Sequence, residues 1–186
     1  GGDALDAKVS AQSEKAIAEA DVVLFIVDVT VGITEEDSRV ANLLRRNGRP
    51  VLLVANKVDD TNRESSAWEF VRLGLGDPYP VSALHGRGTG DLLDTLIGLL
   101  PEAPEGPEEP EVDEGPKIFS VAIVGRPNVG KSTLFNRLIG DDRSVVHDMP
   151  GTTRDTVDTV VDTPDGPVRF VDTAGMRRRS RIDDSA

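Results

Sequence analysis

Gly125-Arg-Pro-Asn-Val-Gly130-Lys131-Ser132 is the stretch that decides how the rest of the chain is interpreted. It fits the pattern G-x-x-x-x-G-K-[ST] and lies between an apolar run at 119–124, which predicts a buried strand, and a predicted helix at about 132–139. Glycines let successive N–H groups point inward and form a concave anion site, to which the helix N-terminus adds partial positive charge. The alternative, a chance glycine turn, leaves the flanking strand and helix unexplained.

The loop therefore predicts a phosphate-binding site that also holds a divalent cation. Lys131 can reach the β- and γ-phosphates, and the Ser132 hydroxyl can ligate Mg²⁺. Asp172-Thr-Ala-Gly175 ends a predicted strand, where the carboxylate can hold a Mg²⁺-bound water and the Gly175 N–H can contact the γ-phosphate. Thr153 lies in a polar stretch after the loop helix and can complete the Mg²⁺ shell. Without its neighbours, that stretch would be interpreted as a plain polar loop.

Two motifs earlier in the chain predict recognition of a base. Asn56-Lys57-Val58-Asp59 follows an apolar run, and a carboxylate there can accept from both N1–H and N2–H of guanine, which adenine cannot offer. Ser82-Ala83-Leu84 ends the next predicted strand, where a backbone N–H can meet guanine O6. Taken alone, the first motif is equally well explained as a surface turn after a strand, and the second carries almost no information.

The composition excludes several classes of function. The 186 residues contain no cysteine, so disulfide scaffolds, zinc ribbons and thiol catalysis are ruled out. The net charge of -12 argues against a general nucleic-acid coat protein. The longest uninterrupted apolar run, 22–27, is too short to span a bilayer. The chain begins Gly1-Gly2-Asp3 rather than with Met, which we interpret as a piece of a longer protein.

Residues 101–116 divide the chain into two segments. They contain five prolines, seven acidic residues and no basic residue, which predicts an extended, self-repelling linker. In both flanking segments, 1–100 and 117–186, short apolar runs alternate with helical patterns. This order predicts an α/β fold with a mostly parallel sheet and helices on both faces. Asp165-Gly166 predicts a hairpin turn between two alternating stretches near the end of the chain.

Taken together, these motifs resemble the Der/EngA family of bacterial GTPases, which carry two tandem G domains followed by a KH-like domain. The resemblance rests on motifs that run along most of the chain: GRPNVGKS (125–132), DMPGTTRD (148–155), DTAGMRRR (172–179), NKVD (56–59) and LGLGDPYPVSALHGRGTGDLL (73–93). It implies a P-loop NTPase fold. Because NKVD and SALH precede the phosphate loop, the G-domain elements stand in circularly permuted order, an order that circularly permuted GTPases share.

The same resemblance implies that the chain consists of three parts. Residues 1–100 resemble the later half of a first G domain, 101–116 the spacer between domains, and 117–186 the early half of a second G domain. Exposed strand edges seek partners, so we expect 22–27 to lie parallel beside 119–124 and form one composite G domain. The alternative is two half-domains that pair with neighbouring molecules or with missing parts of a longer chain.

The resemblance also implies ligands and residue roles. GTP or GDP, Mg²⁺ and K⁺ are the expected ligands, and Met176 stands where Ras-like enzymes place a water-orienting glutamine. The implied catalytic residues are Lys131, Thr153, Gly175 and Asn128, the last through K⁺. The implied metal ligands are Ser132, Thr153 and Asp172. The implied nucleotide contacts are Gly125, Arg126, Pro127, Asn128, Val129, Gly130, Lys131, Ser132, Thr133, Asp172, Thr173, Ala174, Gly175, Met176, Asn56, Lys57, Val58, Asp59, Ser82, Ala83 and Leu84.

For the intact protein, the resemblance implies a cytoplasmic switch in large-subunit ribosome assembly that contacts rRNA, with no membrane or DNA partner. The alternative is a nucleotide- or ribosome-binding fragment without turnover, because its motifs come from two different sites. Both histidines, His85 and His147, are expected to be bystanders in loops. Trp68 and Phe70 are expected to pack in the core.

Overall fold

The structure, a computed structural model, describes residues 11, 13–100, 118–140, 145–151 and 156–176. The described strands are β1 (Val22–Asp28), β2 (Val51–Asn56), β3 (Tyr79–Pro80), β4 (Phe119–Val124), β5 (Val145–Pro150), β6 (Val157–Thr163) and β7 (Gly166–Phe170). The described helices are α1 (13–19), α2 (Glu35–Asn47), α3 (Glu64–Ala67), α4 (Thr89–Gly98) and α5 (Lys131–Ile139), with 3-10 helices at Thr61–Arg63 and Trp68–Leu73.

The strands form one sheet in the order β3-β2-β1-β4-β7-β6-β5. The first five strands of this order pair in parallel, whereas β6 and β5 continue the sheet in antiparallel pairing. Central strand β1 is buried along its whole length, as its continuous apolar sequence predicts for a strand covered on both faces. Within the described part of the chain, no helix is long and apolar enough to cross a membrane.

The junction between the two segments is the parallel pairing of β1 with β4. Val23 lies opposite Ala122 and Leu24 opposite Ile123. Next to this ladder, the N–H of Asp21 donates to the Ser120 carbonyl at 2.8 Å, and the Ser120 N–H donates to the Asp21 carboxylate at 2.9 Å. The predicted pairing of 22–27 with 119–124 is thus confirmed. The linker 101–116 lies outside the described residues, so the predicted domain boundaries stay a prediction.

The two faces of the sheet carry separate apolar cores. Helices α1 and α2 pack on one face through Ile17, Ala41 and Leu44. Helices α4 and α5 pack on the other, where Phe135 meets Phe170 edge-on with ring centroids 5.5 Å apart. Both cores draw residues from both segments, so each segment contributes to the burial of the other.

Local signals set the ends of α2 as the sequence predicts. The Thr34 hydroxyl accepts from the Asp37 N–H at 3.1 Å, and the Asp37 carboxylate accepts from the Thr34 N–H at 3.0 Å, which completes a capping box. At the other end, Gly48 has φ 72°, a left-handed conformation that glycine adopts without strain and that terminates the helix.

Several expectations for local structure are corrected. One short α-helical turn, Glu64–Ala67, is followed by a 3-10 helix, Trp68–Leu73, which leaves Trp68 55% exposed while Phe70 is buried. The expectation that Trp68 packs in the core is therefore wrong. His147 lies on β5, a strand that the sequence did not predict, and its Nε2 is 3.0 Å from the Asp162 carboxylate on β6. The expectation of a loop there is also wrong.

We expect the junction strand to carry a large part of the stability. Phe25→Ala should lower the free energy of unfolding by about 3–5 kcal/mol, because the fully buried ring between the sheet and its helices would leave a cavity. Urea denaturation followed by circular dichroism measures this loss. Trp68→Ala is the matched control, since an exposed aromatic side chain should change the stability by only about 0.5 kcal/mol. Equal losses in the two variants would contradict the buried junction.

Candidate functional site

The loop at 125–132 depends on glycine at two positions where other parts of the chain come close. Gly125 has φ 155°, and a Cβ there would lie 2.6 Å from the carbonyl oxygen of Ile26 on β1. Gly130 has φ 102°, and a Cβ there would collide with the side-chain amide of Asn56. Both contacts come from the other segment of the chain, so the loop conformation and the β1–β4 junction require each other.

The loop delivers positive charge to the start of α5. Gly130 is the N-cap of this helix and offers no side-chain acceptor, so the first-turn N–H groups are not capped by a side chain at that position. The Lys131 ammonium donates to the Gly125 carbonyl at 2.5 Å, which holds it across the loop. An uncapped helix N-terminus beside a lysine is a site that suits phosphate oxygens.

An open cleft of about 380 Å³ brings the two sets of predicted residues together. It is lined by Asn56, Lys57, Asp59, Ser82 and Leu84 from the first segment and by Asn128, Gly130, Lys131, Ser132 and Thr133 from the second. Residues more than forty positions apart in sequence thus face one cavity. Thr153 lies outside the described residues.

Asn56 connects the two segments at the floor of this cleft. It is buried, its Nδ2 donates to the Val129 carbonyl at 2.8 Å, and its Oδ1 accepts from the Ala83 N–H at 3.0 Å. The sequence predicts that Asn56 reads a base, but in this arrangement its amide is bonded to the protein at both ends. We therefore interpret Asn56 as the residue that fixes the loops at 125–130 and 82–84 relative to each other.

Lys57 is held by a buried carboxylate that the sequence analysis missed. Its ammonium lies 2.8 Å from Asp28 at the end of β1 and donates to the Asn128 carbonyl at 2.9 Å. Burial alone would raise the pKa of Asp28, but hydrogen bonds from Lys57 and Thr30, together with the charge of Lys57, outweigh it and hold that pKa below its ordinary value. The signal in the sequence was the acid that ends the apolar run of β1.

Asp59 is presented at the edge of the cleft by neighbours that bind its carboxylate from the protein side. The Ser82 hydroxyl donates to Oδ1 at 2.7 Å, and Arg63 donates to Oδ2 at 3.1 Å. His85 Nε2 lies 3.9 Å from Oδ1. The carboxylate is 36% exposed, so it can still accept from a ligand in the cleft.

The other predicted contact residues do not line the cleft: Gly125, Arg126, Pro127, Val129, Val58, Ala83 and the stretch 172–176. Val58 and Val129 are buried, so a ligand could meet only their backbone. Arg126 turns away from the loop, and its Nε lies 3.6 Å from the buried carboxylate of Asp37 on α2. This ion pair is a second contact between the loop and the first segment.

Asp172 lies just beyond β7 in a left-handed conformation, with φ 55°. Its N–H donates at 3.0 Å to the carboxylate of Asp158, a buried residue that the sequence analysis also missed. Thr173 is buried and lies 2.6 Å from the Thr159 hydroxyl, whereas Gly175 is exposed and Met176 packs against the core. Burial, followed by repulsion from Glu19, raises the pKa of Asp172.

The donor set suits a magnesium ion bound together with phosphate. Ser132 lines the cleft with a hydroxyl, whereas Asp172 is not among the residues that line it. A cation beside Asp172 would oppose the burial and repulsion that raise the pKa of this carboxyl. The described residues contain no cluster of three His, Asp or Glu side chains that could hold a metal. Mg²⁺ needs no such cluster, because it usually takes one or two protein oxygens and fills its shell with water and phosphate.

Comparison with known proteins connects this geometry to two families. The family described as 50S ribosome-binding GTPase matches residues 120–185. The family described as elongation factor Tu GTP binding domain matches residues 7–102, which is more than half of the chain. The chain belongs to the elongation factor Tu GTP binding domain family. Two GTP-binding families thus match the two segments that meet at β1 and β4.

The predicted resemblance to the Der/EngA family is also confirmed. GTPase Der of Moorella thermoacetica is 55% identical over 97% of this chain, and GTPase Der of Streptomyces coelicolor is 50% identical over 98%. The chain spans 40% and 38% of the length of these curated relatives, which is consistent with a fragment of a Der-type protein.

A solved structure supports the fold of this GTP-binding domain. The crystal structure of YjeQ from Thermotoga maritima matches with a TM-score of 0.52 at 20% identity, over 85% of this chain and 50% of that one. The predicted fold class, α/β with P-loop G-domain elements in circularly permuted order, is confirmed by this match, the family matches and the sheet.

We expect the ion pair between Asp28 and Lys57 to add stability only above the acidic range. Because the folded pKa of Asp28 lies below its ordinary value of 3.8, its contribution is fully present above that value and is lost as the pH falls through the folded pKa. Asp28→Asn should therefore lower the free energy of unfolding by about 1–3 kcal/mol at pH 7 and flatten its decline below about pH 4.

Urea denaturation at several pH values measures the effect of Asp28→Asn. Asp94→Asn on α4 is the matched control, since Asp94 is exposed. An unchanged pH profile in Asp28→Asn would show that the ion pair does not contribute to folding.

Proposed function

We propose that the chain binds GTP and GDP in the cleft shared by its two segments and hydrolyses GTP to GDP and phosphate. The observation that carries this proposal is the bridge from Asn56 to Val129 and Ala83, which joins the candidate base site to the candidate phosphate site. Without such a bridge, the two sets of motifs would belong to separate sites. The family matches on both segments support the same nucleotide.

Base recognition rests on Asp59 and the loop at 82–84. The Asp59 carboxylate accepts from N1–H and N2–H of guanine, and an adenine base would leave it unpaired, which makes the discrimination large. A backbone N–H of the 82–84 loop donates to O6. The aliphatic part of the Lys57 side chain packs over the base, since its ammonium is held by Asp28 and Asn128 at the wall of the cleft.

Phosphate binding rests on Lys131 and the N-terminus of α5. Phosphoryl transfer requires charge neutralisation and positioning more than covalent chemistry, and both groups supply positive potential. Ser132, Thr153 and Asp172 are the oxygen donors that would hold Mg²⁺, directly or through water. When bound, the cation neutralises charge on the β- and γ-phosphates. The Gly175 N–H contacts the γ-phosphate.

Orientation of the attacking water needs a group other than residue 176. Met176 has no hydrogen-bonding group for this task and packs against the core. We propose that K⁺ contributes at the phosphates, with the Asn128 side chain as one of its oxygen ligands. Asn128 lines the cleft together with Lys131, and its φ of 69° is a left-handed conformation.

For the intact protein, we propose a cytoplasmic switch in assembly of the large ribosomal subunit that contacts rRNA or the subunit. The description 50S ribosome-binding GTPase for the family that matches 120–185 and the name GTPase Der of the relatives support this role. A second candidate remains for the chain itself: nucleotide or ribosome binding without turnover. Two different GTPase families match its two segments, which supports motifs that come from two different nucleotide sites.

Titration with fluorescent GDP tests the composite site. We expect saturable binding that is competed by GDP but not by ADP, and a loss of at least about a hundredfold in affinity for Lys131→Ala, because a charged hydrogen-bonding group leaves the phosphate site. Lys15→Ala on α1 is the matched control and should bind like the unchanged chain, since Lys15 is exposed outside the cleft. Absence of guanine-specific binding would refute the proposal.

Turnover in different monovalent salts tests the K⁺ assignment. We expect slow phosphate release from GTP that is faster in KCl than in NaCl at equal ionic strength, with GDP affinity the same in both salts. Asn128→Ala should abolish the difference by removing a ligand of the ion. Equal rates in the two salts would contradict the assignment, and binding without phosphate release in either salt would favour the second candidate.

A further inference from the structure

Arg137 on α5 holds the candidate base loop from outside the cleft. Its Nε donates to the Ala83 carbonyl at 2.9 Å, and one terminal nitrogen donates to the Leu84 carbonyl at 2.7 Å. A guanidinium presents its donors in a fixed planar fork, so two bonds to successive carbonyls fix the orientation of both peptide groups. None of the motifs in the sequence marks this arginine.

The position of Arg137 determines which way the loop donors face. In a trans peptide the carbonyl and the following N–H point in opposite directions. Arg137 lines a separate groove with Gly86 and Thr89, so the Ala83 carbonyl points toward that groove. The Leu84 N–H of the same peptide must then point the other way, and Leu84 itself lines the cleft.

The other two N–H groups of the loop at 82–84 are already committed, and that of Ser82 donates to the Arg87 carbonyl at 2.9 Å. The Ala83 N–H donates to the Asn56 side chain at 3.0 Å, which makes the Leu84 N–H the loop donor that Arg137 orients. Gly86 makes room for this arrangement: it has φ 72°, and a Cβ there would lie 3.2 Å from the guanidinium of Arg137. Asn56 and Arg137 therefore both hold the loop, and the Arg137 contacts cross from the second segment to the first.

We propose that Arg137 is a positioning residue for base recognition, which aims the Leu84 N–H at the 6-oxo group of a purine nucleotide. This inference rests on the proposed function, since it assumes a guanine base in the cleft. The role of Arg137 would make specificity for a 6-oxopurine depend on α5, the helix whose N-terminus is the proposed phosphate site. The base loop and the phosphate loop then share one rigid element.

Calorimetric titration of the whole chain with GDP and with 6-thio-GDP tests the proposal, because a thiocarbonyl sulfur is a weak hydrogen-bond acceptor. We expect Arg137→Ala to weaken GDP binding about tenfold and 6-thio-GDP binding less than about twofold, since only GDP loses the oriented hydrogen bond. Arg137→Lys should recover part of the preference for GDP, because an ammonium can hold one carbonyl but not both in a planar fork.

The controls separate a positioning role from general stability. Arg39→Ala, which removes an exposed arginine of α2, should leave both affinities unchanged. Circular dichroism reports whether Arg137→Ala is folded, and Arg137→Lys carries the comparison if it is not. An equal loss for both nucleotides, or no loss for either, would overturn the positioning role while leaving GTP binding intact. Failure of the unchanged chain to bind GDP would refute the proposed function itself, and this inference with it.

Discussion

The parallel pairing of β1 with β4 is the constraint on which the rest of the molecule depends. Parallel neighbours end at the same edge of a sheet, so the residues that follow β1, β2 and β4 come together there. At this edge β1 ends at Asp28 and β2 ends at Asn56, and the loop that begins at Gly125 follows β4. If β1 and β4 were apart, each segment would keep its local motifs but no cleft would join them, and two apolar strand edges would face water.

Burial makes this junction favourable, whereas polar contacts make it specific. A shift of β4 by one residue along β1 would exchange the side chains that the strand presents to the two faces of the sheet. The bond between Asn56 and Val129 would not survive such a shift, because it needs Gly130 to leave space for the amide. The ion pair of Arg126 with Asp37 is a further contact between the two segments.

The sequence predicts much of the fold but less of the site, for a physical reason. Strands β1, β2 and β4 and the start of α2 depend on local pattern and capping, so short windows suffice. Strand β5 is polar and exposed at the sheet edge, and its pairing with β6 is what makes it a strand. The roles of Asn56, Asp28 and Arg137 depend on partners from 27 to 73 positions away, which no local pattern reports.

The carboxyl groups of Asp28 and Asp172 have pKa values shifted in opposite directions, for different physical reasons. Asp28 has a lowered pKa because Lys57 and Thr30 satisfy its charge within the protein, so it needs nothing from the cleft. Asp172 has a raised pKa because burial and Glu19 oppose its charge, and a cation would reverse that balance. Lys57 is paired with Asp28 within the protein, so in the proposed function Lys131 and the N-terminus of α5 supply the positive potential for phosphate.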